Sequence, residues 1–133
     1  MAELPEGAKS LLDEPNLAHF VTLMKDGSPQ VTPVWVSHDG SHVLINTAEG
    51  RQKPRNLRRD PRVALSVVDK NNNFRYVTVR GRVSEILSGE EAWKSIDMLS
   101  EKYNGNANYP RRPGEERLLI KIDPEHVTYR GPQ

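Results

Sequence analysis

The sequence predicts a mainly β domain with short helices, about six strands curled into a small closed or half-closed barrel. Three observations carry that expectation. Apolar residues fall into short β-branched and aromatic runs bounded by turn residues, Asp-Gly dipeptides separate the early runs at hairpin distance, and helical periodicity is confined to three short stretches. At 133 residues the chain has the length of a single domain, residues 1–133.

Residues 5–13 read as a helix, with Pro5 at a first-turn position and Ala8, Leu11 and Leu12 on one face. Glu14-Pro15 ends it. Residues 17–24 form the first strand, Asp26-Gly27 the hairpin turn, and residues 29–37 the return strand, which Pro33 confines to an edge, a bulge or an open side. Asp39-Gly40 turns the chain into a third strand at 42–47. A helix follows from 49 to 59 and stops at Asp60-Pro61, because the residue before proline is pushed out of the α region. Residues 62–68 give a fourth strand and 74–87 a long fifth one that bends at Gly81. Ser88 with Glu91 has capping-box spacing for a helix that ends at Asn104-Gly105. A Pro/Arg/Gly loop at 109–116 leads to a closing strand at 118–129, interrupted at Asp123-Pro124.

Composition removes several classes of function. The chain has no cysteine, so disulfides, thiolate metal sites and thiol catalysis are excluded. His19, His38, His42 and His126 include no helical i, i+4 pair with an intervening Glu, which leaves no metal motif. No apolar stretch approaches the roughly 18 residues that cross a bilayer, and residues 1–9 lack the basic-then-apolar pattern of a secretory signal. A cytoplasmic protein without membrane partners is expected. An apolar fraction of 35% and a mean hydropathy of −0.71 leave a thin core for a monomer, so a homodimer that completes its core across an interface is expected as well.

The net charge of +1 conceals a segregation. Residues 51–62 hold six bases, Arg51, Lys53, Arg55, Arg58, Arg59 and Arg62, against the single acid Asp60; 13 bases and 17 acids remain elsewhere. The basic segment follows a strand end with a hydroxyl, Thr47, then Gly50, then two cations two residues apart, then the first turns of a helix. Helix N-terminal amides carry about half a positive charge, so this arrangement suits a phosphate. The same run would also serve as a solvated basic helix. Nucleic acid is disfavoured, because the body is acidic and only Phe74, Tyr76 and the two tryptophans offer stacking.

Two segments resemble a known family: residues 29–35, Pro-Gln-Val-Thr-Pro-Val-Trp, behind the Asp26-Gly27 turn, and residues 46–65, with their Arg-x-Lys-x-Arg-Asn-Leu-x-x-Asp-Pro-Arg run. They are similar to the pyridoxamine 5′-phosphate oxidase-like split-barrel superfamily, and within it to the flavin/deazaflavin oxidoreductases that use coenzyme F-420. The resemblance implies a split β-barrel of the FMN-binding type, forming a homodimer with the cofactor at the interface. It places the cofactor phosphate at Arg51 and Lys53, with Asn46, Thr47 and Asn56 as nearby hydrogen-bonding groups. It lays the ring along the second strand, at Gln30, Thr32, Pro33, Val34 and Trp35, and makes Phe74 and Tyr76 contacts from the partner subunit.

The implied activity is hydride transfer from reduced F-420, an 8-hydroxy-5-deazaflavin, to an unsaturated or conjugated small molecule. Arg55, Arg58 and Arg59 are extra cations able to meet that coenzyme's oligoglutamate tail. FMN-dependent oxidase or reductase chemistry is the alternative, as is a non-enzymatic deazaflavin-binding dimer. No catalytic acid stands out; Trp93, Tyr103 and Tyr109 read as anchors of the late helix and its loop, with Tyr109 or Arg111 over a substrate pocket as the lesser alternative.

Overall fold

A computed structural model describes residues 1–132. Seven strands form one antiparallel sheet: β1 (Ala18–Leu23), β2 (Pro29–Val34), β3 (Val36–His38), β4 (Val43–Ala48), β5 (Arg62–Asp69), β6 (Asn72–Leu87) and β7 (Arg117–Arg130). Three helices punctuate it: α1 (Glu6–Asp13), α2 (Gln52–Arg59) and α3 (Glu90–Asn104). The strand order is β2-β1-β5-β6-β7-β4-β3. Its two edges, β2 and β3, are consecutive in the chain and one residue apart, so the sheet curls until they meet at Trp35. This is the expected half-barrel, a split barrel, with seven strands where about six were anticipated.

The additional strand comes from a division. The predicted return strand at 29–37 leaves β1 after Val34 and pairs with β4 from Val36, so one apolar run serves both edges. Pro29 and Pro33 lie on β2, at the sheet's edge, where a missing N–H breaks no ladder on the outer side.

Two further expectations are corrected. α3 is not capped by Ser88: its N-cap is Gly89, at φ 71°, with no side-chain capping bond. β7 is not interrupted at Asp123-Pro124; the strand runs through, and the irregularity is a bulge in its pairing with β6. Arg80 faces His126 and Gly81 faces Pro124, which leaves Glu125 as the extra residue. Pairing with β4 ends at Ile122, so Pro124 interrupts no bond on that side. Gly81 permits the approach, since a Cβ there would meet the Asp123 carbonyl oxygen at 2.1 Å.

The inward residues of the sheet, among them Phe20, Val36, Ile45, Val67, Val77, Ile120 and Ile122, pack with Ala8, Leu11 and Leu12 of α1 into one core. Alternation gives β5 the pattern of a half-buried strand, with Val63, Leu65 and Val67 in and Arg62 and Val68 out. α3 packs on β7 and β4, across the region where the chain passes from β4 into α2. No helix among the described residues is long and apolar enough to cross a membrane.

Candidate functional site

The end of β4, the start of α2, the Trp35 joint and α3 surround a cleft of about 320 Å³. Pro33, Val34, Trp35, Asn46, Thr47, Arg51 and Lys53 line it together with Leu17, Ile96, Leu99, Tyr109 and Arg117. Seven residues named from the sequence as cofactor contacts therefore meet in one place, joined by Tyr109. Among the described residues, three cations line the cleft and no carboxylate does.

The anion-facing half is built by local rules. Gly50 turns the chain at φ 89°, a conformation side chains rarely adopt, and delivers Arg51 to the N-cap of α2. No side chain caps that helix and no acid occupies its first turn, so its leading amides and dipole face outward unneutralised. Thr47 sits at the end of β4, 3% exposed, and its hydroxyl finds no hydrogen-bond partner among the described residues. Such a group costs about 1–3 kcal/mol when left dry. Arg51 and Lys53 make no side-chain hydrogen bond or ion pair among the described residues, whereas Arg55, Arg58 and Arg59 of the same helix each do. Burial, and secondarily Arg51, hold the Lys53 ammonium below its ordinary pKa. A buried unpaired hydroxyl, two unpaired cations and an uncapped helix end are the donor set a phosphate ester requires.

The other bases are engaged within the chain. Arg58 forms a two-pronged pair with Glu49, at 2.5 and 2.8 Å. Arg55 donates to the Gly50 carbonyl and to Gln52, Arg59 to the Leu23 carbonyl and to Asn56, and Arg62 pairs with Asp60. The extra cations expected to meet a polyanionic tail thus already have partners.

The second half of the cleft is aromatic and apolar. Trp35 stacks on Tyr103 with ring centroids 5.2 Å apart, and Tyr109 stands edge-on to Trp35 at 6.2 Å. The Tyr103 hydroxyl donates to the Asn16 carbonyl at 2.5 Å and accepts the Val36 amide at 3.2 Å, which fixes the platform under Trp35. Tyr109 is held over the cleft from α3. Asp97 accepts its amide at 2.9 Å and grips Arg111 at 3.0 and 2.9 Å, while the Arg111 guanidinium lies 4.4 Å from the Trp93 ring centroid. Arg111 is a strut of this loop rather than part of the cleft lining.

Several sequence candidates lie elsewhere. Asn56 is fully buried, and its amide bonds Thr22, Gln52 and Arg59 inside the β1–α2 contact. Gln30 faces Thr22. Thr32 has a second buried hydroxyl without a partner among the described residues, but it does not line the cleft. Phe74, 82% exposed, and Tyr76 stand on β6, outside the cleft. Asn46 lines the cleft with both ends of its amide occupied, by Arg117 and by the Ala92 carbonyl. Sequence reading missed Leu17, Ile96, Leu99 and Arg117; alternation and helical periodicity mark the first three only as apolar packing residues.

Comparisons with known proteins agree with the fold. The family model described as pyridoxamine 5′-phosphate oxidase matches residues 4–131. A solved structure described as an F-420 reductase is 34% identical, with 93% of this chain and 98% of that chain covered and a TM-score of 0.81. A conserved hypothetical protein from Mycobacterium tuberculosis is 24% identical over 98% of this chain and 88% of its own, with a TM-score of 0.76. General Stress Protein 26 from Bacillus anthracis is 16% identical over 96% and 94%, with a TM-score of 0.66. The last two share the fold.

Proposed function

The chain belongs to the pyridoxamine 5′-phosphate oxidase family, and on that premise we propose that it is an oxidoreductase that holds a phosphorylated flavin or deazaflavin in the cleft between β4, α2 and α3. The observation that carries the reading is the buried, unpartnered Thr47 hydroxyl beside the unpaired Arg51 and Lys53 at an uncapped helix end. These residues hold the phosphate. Trp35, Val34 and Pro33 form the wall along which a planar ring lies, and Ile96, Leu99 and Leu17 exclude water from its other side.

When bound, a reduced deazaflavin supplies a hydride. The protein's own share is orientation and electrostatics. The phosphate anchor fixes one end of the cofactor, the Trp35–Tyr103 stack fixes the plane of the wall, and the Asp97–Arg111 strut keeps Tyr109 over the opening. The acceptor in this proposal is an unsaturated or conjugated small molecule.

F-420 is the preferred cofactor because a structure described as an F-420 reductase is 34% identical over nearly the whole chain. The hydrogen bonds that already engage Arg55, Arg58 and Arg59 weaken the tail argument for it, and FMN, with the same phosphate anchor, is the second reading. A homodimer is part of the proposal. The outer face of β2, β1, β5 and β6 exposes Val31 at 59%, Val68 at 37% and Phe74 at 82%, apolar side chains among polar ones that a second copy would cover.

Titration of the purified protein with F-420 and with FMN, followed by absorbance and tryptophan fluorescence, tests the cofactor. The joint change Arg51→Ala, Lys53→Ala weakens binding about 100-fold or more, at about 1.5–3 kcal/mol for each charge-assisted contact, and leaves the circular dichroism spectrum unchanged. Tight FMN binding without F-420 binding overturns the deazaflavin assignment. Turnover with quinones and enones separates an enzyme from a cofactor carrier, and sedimentation tests the dimer.

A further inference from the structure

The cleft holds a third cation that lies far from the basic run. Arg117 opens β7 directly across from Ala48, which brings it beside the turn that carries Gly50 and Arg51. It is 3% exposed, an unusual burial for an arginine with a single carboxylate partner. Nε donates to Asn46 Oδ1 at 2.9 Å, Nη1 to Glu115 at 3.3 Å, and the guanidinium lies 5.3 Å from the Tyr109 ring centroid. Its Nη2 makes no hydrogen bond to the described residues.

The orientation is set by one amide. Asn46 Nδ2 donates to the Ala92 carbonyl of α3 at 2.8 Å, which leaves Oδ1 facing the arginine. A carbonyl can only accept and a guanidinium can only donate, so the amide has one consistent orientation and Nε one partner. Burial, the largest influence, works against the Arg117 charge and the nearby Arg51 adds to it, while Tyr109 and Glu115 favour the charge without offsetting the burial. Glu115 answers Arg117 from behind, but among the described residues no carboxylate lines the cleft to answer Arg51 and Lys53, a costly arrangement unless an anion belongs among the three cations.

We propose that Arg117 is a direct ligand of the anionic group held by Thr47, Arg51 and Lys53, and that Asn46 is a positioning residue that aims this guanidinium rather than a contact of the ligand. The proposal rests on the phosphate site described above. The ligand class is a phosphate ester, whose non-bridging oxygens carry enough lone pairs to accept from Arg117 as well as from Thr47, Arg51 and Lys53. Arg117 presents a planar fork from the opposite wall, fixed in direction before the ligand arrives.

The test compares ligands with and without the phosphate: FMN against riboflavin, and F-420 against its phosphate-free chromophore. Arg117→Met weakens the phosphorylated member of each pair about tenfold or more and leaves the phosphate-free member unchanged. Arg117→Lys, which keeps the charge but not the fork, recovers part of the loss. Asn46→Ala shows a smaller loss with the same selectivity, and that loss disappears when it is made in the Arg117→Met background.

Equal weakening of both members, or additive effects of the two substitutions, overturns the proposal by assigning Arg117 a structural role. If Arg51→Ala, Lys53→Ala weakens binding and Arg117→Met does not, the proposal falls while the phosphate site stands. If the unaltered protein binds neither chromophore, the cofactor reading falls, and thermal stabilisation by inorganic pyrophosphate decides on Arg117. A shift seen in the unaltered protein and lost in Arg117→Met supports the assignment; an equal or absent shift overturns it.

Discussion

Replacing Thr47 by valine should move stability and ligand affinity in opposite directions. Valine has nearly the same shape and suits a strand equally well, so the substitution removes little except the hydroxyl. That hydroxyl is 3% exposed as part of its residue and has no partner among the described residues. Its desolvation costs the fold about 1–3 kcal/mol, which Thr47→Val returns. At about 3–6 °C per kcal/mol for a chain of this size, the melting temperature of the protein alone rises by about 3–18 °C. The same hydroxyl donates to a charged oxygen when a phosphate is present, a bond worth about 1.5–3 kcal/mol, so affinity for the phosphorylated ligand falls about tenfold or more. Differential scanning calorimetry with and without ligand reads both effects on one sample. A variant that melts lower than the parent and binds equally well refutes the reasoning, because the hydroxyl would then serve the fold.

Further outcomes follow from other sites. Gly81→Ala drives a methyl group to 2.1 Å from the Asp123 carbonyl oxygen, a backbone atom that cannot step aside cheaply, and lowers stability by about 1–3 kcal/mol or more in thermal melts. A variant as stable as the parent would show that the β6–β7 bulge relaxes freely. Lys102 donates to the Leu12 and Val36 carbonyls, and burial brings its pKa from 10.5 down to about 8. The folded state therefore releases this proton before the unfolded state does, and stability rises between about pH 8 and pH 10.5. Lys102→Met flattens that rise, after allowance for Lys53, whose pKa is lowered in the same direction. An undiminished rise in melts across that range contradicts the assignment. Asp97→Ala frees Tyr109 and Arg111 from α3 and raises amide hydrogen exchange in residues 106–116, without change in β4 or β7.

Local chemistry made most of the fold readable. Asp60-Pro61 stops α2 where the proline rule puts it, and Gly105 closes α3 in the left-handed conformation at φ 74°. Pro33 marks an edge strand. What escaped depends on partners distant in sequence. Nothing local separates Val34 from Val36; the strand divides because β1 claims one side of Trp35 and β4 the other. Ser88 has the chemistry of a cap, but the turn out of β6 needs a positive φ, and Gly89 supplies it.

The site divides in the same way. Thr47, Gly50, Arg51 and Lys53 are contiguous, so their shared purpose shows in the sequence. Arg117 lies 71 residues from Asn46, in a stretch that reads as a polar loop before a strand. Only the β4–β7 register brings the two together. Asn56, singled out for its place in the basic run, fell on the buried side of α2, where helical geometry directs it to β1.

The two prolines of β2 have a consequence for the protein at high concentration. A sheet edge offers unpaired amides and carbonyls to any passing strand, which is the route to edge-to-edge aggregation. β2 spans six residues, and Pro29 and Pro33 both lack the N–H that a growing ladder requires. The opposite edge, β3, spans only three residues. A half-barrel open between these strands thus keeps its opening from recruiting further chains, and one of the two prolines responsible, Pro33, belongs to the wall on which a planar ligand would rest.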